Sequence, residues 1–178
     1  MFLYLPKEFD SNEWFTLVAI IINILTFKLL PKRLPKELTP LIVLLSIAFP
    51  KVLDHTMAVK PYDLYNISDS KNYELFDVIL YGAYPMFGYL FIYLYDVFQP
   101  KKTLLVLYFL GWSIFAGGFE FLLNKLQVFS YTGWHLTFSF PVYLTTLCLT
   151  FLFYKFTKNY LDKNGQMEPA QRKGEPPH

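Results

Sequence analysis

An all-α integral membrane bundle of five transmembrane helices is the fold class predicted by this 178-residue sequence, on three observations. Hydrophobic residues make up 54% of the chain and aromatics 20%, while 17% are charged, against about 25% in an average soluble domain. The apolar residues gather in five runs, each near the ~20 residues that cross a ~30 Å hydrocarbon layer. Basic residues collect in alternate connections between those runs, the asymmetry that orients membrane proteins.

The runs are approximately Trp14–Leu30, Thr39–Ala58, Tyr73–Phe98, Thr103–Phe121 and Trp134–Tyr154. Before the first, MFLYLPKEFDSNEW lacks a basic start ahead of an apolar core and is interrupted by Pro6 and three acids. It is expected to be a short interfacial segment, not a cleavable signal peptide. PKRLPKE (31–37) is a basic turn whose prolines cannot continue a helix. The second run is interrupted by Pro50 and Lys51, and the third, after the polar loop KPYDLYNISDSKN (60–72), is long enough to tilt or project. QPKK (99–102) and SYTG (130–133) close the remaining connections. Strands are not expected, because the runs are too long and lack the alternation of a membrane barrel. The polar end of the chain predicts a disordered cytoplasmic tail over 159–178, behind a transmembrane domain over 1–158.

Alternation over five runs places the termini on opposite sides. One side carries 11 of the 16 basic residues with five acids, and the other carries five basic residues with nine acids. The N-terminus is therefore expected outside and the C-terminus in the cytoplasm of a cell-membrane protein. A net charge of +2 is too small to suggest nucleic acid. The single cysteine, Cys148, permits no intrachain disulfide and no cysteine metal cluster.

This topology converts scattered ionisable residues into depths. Leu38 to Asp54 is 16 residues and Thr103 to Glu120 is 17, about 24 and 26 Å of helix. Both acids then arrive near the outer face, where Asp77 opens the third helix and His135 follows Trp134 at the start of the fifth. Lys51, Asp54, His55, Asp77, Glu120 and His135 are expected at one level of the outer leaflet. Polar stripes run along three helices: Ser113, Gly117, Glu120 and Asn124; Asp77, Tyr81, Tyr84, Gly88 and Tyr95; His135, Ser139, Thr146 and Thr150. Such stripes face neighbouring helices, since lipid offers polar groups no partner. Gly117 and Gly118 predict close helix approach, and Pro50, Pro85 and Pro141 are expected to free backbone carbonyls near the same level.

A purely structural reading competes with a functional one. Charge near headgroups is far cheaper than at the bilayer centre, Lys51 can snorkel or pair with Asp54, and Trp134 fits an aromatic belt. Ionisable residues inside a membrane nonetheless point to function by default. His55, Glu120, His135 and either aspartate are ligand types for zinc or manganese, but no HExxH-like spacing accompanies them. Two histidines on different helices are also the haem-ligating type, at positions too near the surface to favour it. Proton or cation handling by Asp54, Asp77 and Glu120 needs no motif. Ser113 and Ser139 lack the elbow and base of a nucleophile site, and NIS (66–68) is a bare glycosylation sequon.

LPKEFDSNEWF (5–15), LDHT (53–56), PYDLYNISDSKNYELFD (61–77), GGFEFL (117–122) and FSYTGWHLTFSFPVYL (129–144) stand in order along the chain. Together they resemble a family of small, uncharacterised multipass membrane proteins of Gram-positive, often spore-forming, bacteria, over nearly all of residues 1–155. The resemblance implies an integral location in the bacterial plasma membrane and carries no activity. It covers the acid of the fourth helix and the Gly-Trp before the fifth, whereas the residue after that Gly-Trp varies, which sets His135 apart.

The leading functional expectation is a non-enzymatic membrane protein that binds a partner or small ligand through an outer-leaflet polar pocket. Asp54, His55 and Glu120 would anchor it, with Asp77 and Trp134 at the rim and His135 beside them. Two alternatives stay open: an ion or proton conductor or transporter subunit using the same acids, and a metal-assisted intramembrane enzyme. No catalytic residue, cofactor or particular metal is assigned. Expected partners are the lipid bilayer and a membrane protein or second copy of the chain.

Overall fold

The computed structural model describes residues 9–67, 75–126 and 128–164, with the side chains of Ile67 and Asp77 left out. Helix α1 (Ser11–Leu29) starts at a reciprocal cap: Asn12 N–H donates to Asp10 Oδ1 at 2.9 Å, and Asp10 N–H donates to Glu13 Oε2 at 3.0 Å. The face α1 buries is its polar one, Asn12, Glu13, Thr16 and Asn23, while Val18, Ile21, Ile22, Ile24 and Leu25 point outward. Helix α2 (Leu38–Met57) runs unbroken through Pro50. After strand β1 (Tyr65–Ile67) come α3 (Leu75–Leu80), α4 (Pro85–Phe98) and α5 (Thr103–Lys125). Strand β2 (Phe129–Tyr131) and α6 (Leu136–Lys163), continuous through Pro141, complete the order.

Among the described residues, five helices are long and apolar enough to cross a membrane: Ser11–Leu29, Leu38–Met57, Val78–Phe98, Thr103–Lys125 and Leu136–Lys163. The third is composite and corrects the expectation of one helix over 73–98. Pro85 has no N–H to offer Tyr81 O, so the chain tightens into turns, with Tyr81, Gly82 and Ala83 N–H donating to Val78, Ile79 and Leu80 O. Of the three prolines, Pro85 alone opens a new helix. The fifth helix extends beyond the expected end at Tyr154, because Tyr154 and Leu161 are both buried in the core and carry the helical period to Lys163. Within the expected tail, residues 159–163 are therefore helical and 165–178 lie outside the described residues.

The core is aromatic. Phe91 is fully buried, with Tyr108, Phe109 and Trp112 rings 5.3 to 5.9 Å away, and Tyr95, Phe151 and Tyr154 pack beside them. Helix α5 lies chiefly on α6 and α2 on α4. Gly88 makes the α2–α4 approach possible: a Cβ there would collide with Ser46 Oγ. Gly117 and Gly118 meet no neighbour within 4 Å of where a Cβ would stand, so no described residue uses the close approach expected of them.

Two short strands, absent from the sequence expectation, tie the loops at one end. β1 and β2 pair antiparallel, Tyr65 opposite Tyr131, Asn66 opposite Ser130 and Ile67 opposite Phe129. Leu64 O accepts the N–H groups of Thr132, Gly133 and Trp134 at 2.9 to 3.0 Å, which fixes the entry to α6. The loops thus form a lid of hydrogen-bonded backbone over one end of the bundle, here termed the strand end.

Candidate functional site

Beneath the strands two carboxylates meet a set of tyrosines. Glu120 lies on the inward face of α5 with Ser113 and Ala116, and is 6% exposed. Its Oε1 accepts from Tyr131 Oη at 2.6 Å and from Ser139 Oγ at 2.7 Å, and its Oε2 accepts from Tyr143 Oη at 2.6 Å. Trp134 Nε1 donates to Ser139 Oγ at 2.7 Å, so the indole reaches Glu120 through one hydroxyl. Each donor is positioned locally. Asn124 Nδ2 bonds Phe129 O at 3.0 Å and bends the chain after α5 so that Tyr131 returns to Glu120. Ser139 and Tyr143 stand four residues apart on one face of α6.

Asp54, near the end of α2, is held the same way. Tyr65 Oη donates to Oδ1 at 2.8 Å and Tyr81 Oη to Oδ2 at 3.2 Å. The β ladder places Tyr65 and Tyr131 opposite one another, each turned to a different carboxylate. Tyr84 stands beside this half-site, its ring 5.8 Å from that of Tyr81. The ladder pair Tyr65–Tyr131 and the Tyr65–Trp134 ring contact at 6.3 Å join the two half-sites into one polar layer drawn from α2, β1, the turn after α3, α5, β2 and α6.

Neither carboxylate has an ion pair with Lys or Arg among the described residues. Lys51 lies instead over the Tyr81 ring, 5.5 Å from its centroid. Neutral donors do the solvating, and their own acidity registers it. Burial first, then the neighbouring Asp54 carboxylate, pushes the Tyr65 phenol above its ordinary range. Burial and then the hydrogen bond to Glu120 do the same for Tyr131.

The expected site residues divide. Asp54, Glu120 and Trp134 join the layer. His55 is exposed, its Nδ1 3.0 Å from Lys51 O on its own helix. His135 is exposed at the N-cap of α6 with its ring edge on Phe138. Asp77 lies in α3 and its side chain is outside the described residues. Two shallow cavities, of about 580 and 360 Å³, lie elsewhere: one is lined by Asp10, Trp14, Phe15 and Leu126, the other by Phe49, Leu53, Pro141 and Leu149. What sequence reasoning missed as site residues are the carboxylate donors Tyr65, Tyr81, Tyr131, Ser139 and Tyr143. The signal for Tyr65 and Tyr131 lay in YNI and FSY, two short stretches whose pairing no helical period reveals, while Tyr81 and Ser139 stood on polar stripes of their helices.

No three His, Cys, Asp or Glu side chains among the described residues converge as metal ligands do. At the far end of α6, Asp96 is bound differently: Lys158 Nζ lies 3.3 Å from Oδ1, Tyr154 Oη donates to Oδ1 at 3.0 Å, and Arg33 Nε lies 3.5 Å from Oδ2. Among known proteins, no family model, no curated sequence and no solved structure matches the chain.

Proposed function

We propose that this chain is a multipass protein of the bacterial plasma membrane, with its N-terminus outside and its C-terminus in the cytoplasm, and that its strand end binds a partner or small ligand through Asp54 and Glu120. The inside-out face distribution of α1 supports insertion, because an aliphatic face turned outward is costly in water and at no disadvantage in lipid. The observation that carries the binding reading is Glu120, a buried carboxylate solvated by three hydroxyls with no cation among the described residues. Burying a charge unpaired is expensive, and a layer built to tolerate it suits the recognition of a positive group such as an amine or a basic side chain. Tyr65 and Trp134 pack edge to face at 6.3 Å beside the layer and the Tyr81 ring already carries Lys51 at 5.5 Å, aromatic surface of the kind that attracts cations. The aromatic core around Phe91, Phe109 and Phe151 lies between this layer and Asp96, which favours binding at one end over conduction through the bundle.

Thermal-shift titration of the purified protein with ethanolamine, choline and a lysine-rich peptide tests it. Stabilisation by at least one of them, lost in Glu120→Gln and Asp54→Asn, is the expected result. No response to any of the three, or a response unchanged in the double variant, overturns it. A reporter fused to the C-terminus should be found in the cytoplasm, and finding it outside overturns the topology.

A further inference from the structure

The end of the bundle that holds Asp96 carries more positive charge than its acids cancel. Among the described residues, 28–37 contribute four basic side chains, 99–102 two and 155–163 three, against the acids Glu37, Asp96 and Asp162. Arg33, from the α1–α2 turn, and Lys158, from α6, both reach Asp96, yet the side chains of both remain partly exposed. Lys155, one turn back along α6, is exposed and pairs with no carboxylate among the described residues. Its Nζ lies over the Tyr95 ring instead, 5.0 Å from the centroid. Tyr95 precedes Asp96 in the chain, and its ring is 5.9 Å from that of Tyr154, whose Oη donates to Asp96. Three cations from two segments thus stand round one carboxylate and two packed phenol rings.

The surface beside these cations is apolar. Leu152, Lys155 and Phe156 share one face of α6, and Leu152 and Phe156 are both exposed. Phe98, two residues beyond Asp96 at the end of α4, is exposed as well. A cationic rim next to exposed hydrocarbon matches a ligand charged at one end and apolar at the other, whereas a soluble anion would use only the rim. Basic pockets between transmembrane helices recognise anionic lipid headgroups by this pairing. A guanidinium adds a planar fork of donors suited to phosphate oxygens.

We infer that Arg33, Lys155 and Lys158 bind the phosphate of an anionic phospholipid, with its acyl chains along Leu152 and Phe156. Asp96 then acts as the post that keeps Arg33 and Lys158, far apart in sequence, side by side. Such a site requires only that the helices span a membrane, whichever way the chain is oriented and whatever the strand end binds.

The test is a thermal melt of the purified full-length protein in detergent, titrated with dioleoylphosphatidylglycerol, with uncharged dioleoylglycerol and with free glycerol phosphate. Phosphatidylglycerol should raise Tm by roughly 5 °C and the other two should not, and the rise should shrink as salt is added. Lys155→Gln combined with Lys158→Gln should weaken the apparent affinity for the lipid about tenfold, and Glu120→Gln should leave it unchanged. No response in wild type, or one unchanged in the lysine double variant, overturns the inference. An equal response to dioleoylglycerol overturns it by making the contact purely apolar, and an equal response to glycerol phosphate by making the ligand a soluble anion. Loss of the response in Glu120→Gln overturns it by moving the lipid to the strand end. If the double variant does not fold, Lys155→Glu decides, since it disturbs no ion pair among the described residues: a response as large as that of wild type overturns the inference, and a weaker one supports it. Extraction of the chain from membranes by alkaline carbonate overturns the membrane reading itself, and this site with it.

Discussion

The two ends of this bundle each draw a carboxylate inward, and they satisfy it by opposite means. At the strand end Glu120 is met by Tyr131, Tyr143 and Ser139, all neutral donors. At the other end Asp96 is met by Arg33, Lys158 and Tyr154. Nineteen residues of α6 separate Ser139 from Lys158, about 28 Å at 1.5 Å per residue. A carboxylate paired with two cations has its charge cancelled and is finished as a structural joint between the α1–α2 turn, α4 and α6. A carboxylate surrounded by neutral hydroxyls has its hydrogen bonds but no cation among the described residues.

The contrast breaks most clearly on truncation. Glu120→Ala leaves three donors in the layer without an acceptor and should cost more than about 3 kcal/mol, read as loss of folded protein in a detergent melt. Should that variant melt within a degree of wild type, the strand end is no more committed than a surface. Next come Tyr143→Phe and Tyr131→Phe, each removing one hydrogen bond to a charged acceptor. Each should cost about 1.5–3 kcal/mol, and the two costs should couple, since both phenols act on the same carboxylate. Asp96→Asn should cost about 1 kcal/mol, because the side chain of Arg33 is 46% exposed and its pairing is screened. That loss should shrink at high salt, whereas the Glu120 effects should not.

The smallest effect sharpens the comparison by pH. A phenol whose folded-state proton is held more tightly contributes stability fully present below the ordinary tyrosine range of about 10, lost as pH rises through the higher folded value. Tyr65 and Tyr131 are both raised, so the strand end should loosen only in strong alkali, tracked by phenolate absorbance. Glu120→Gln removes one cause of the Tyr131 shift and should bring its ionisation to lower pH, though burial, the larger cause, remains.

Much of the helical scaffold was legible because the apolar runs and their polar breaks are local properties. The second and fourth helices occupy nearly their expected residues, Leu38–Met57 and Thr103–Lys125. Glu120 and Asp54 were legible as a pair too, since counting residues along a helix yields depth. The donors were not. Tyr65 lies 11 residues beyond Asp54, and Tyr131 lies 11 beyond Glu120, each across a loop whose path depends on β1 meeting β2. His55 and His135 show the converse: sequence distance places them near the acids, while both side chains are exposed and donate to neither carboxylate among the described residues.

The sequence by itself determined five helices of spanning length, their polar faces and the charge asymmetry between their ends, because hydrophobicity, period and proline act within a few residues of where they are written. Tertiary structure alone decided who solvates each carboxylate. It chose tyrosines for Glu120 and Asp54, cations for Asp96, and an amide for the carbonyls of the broken span. Those choices join residues up to 62 positions apart, and a hydrogen bond is fixed by where two atoms arrive, which no local pattern records.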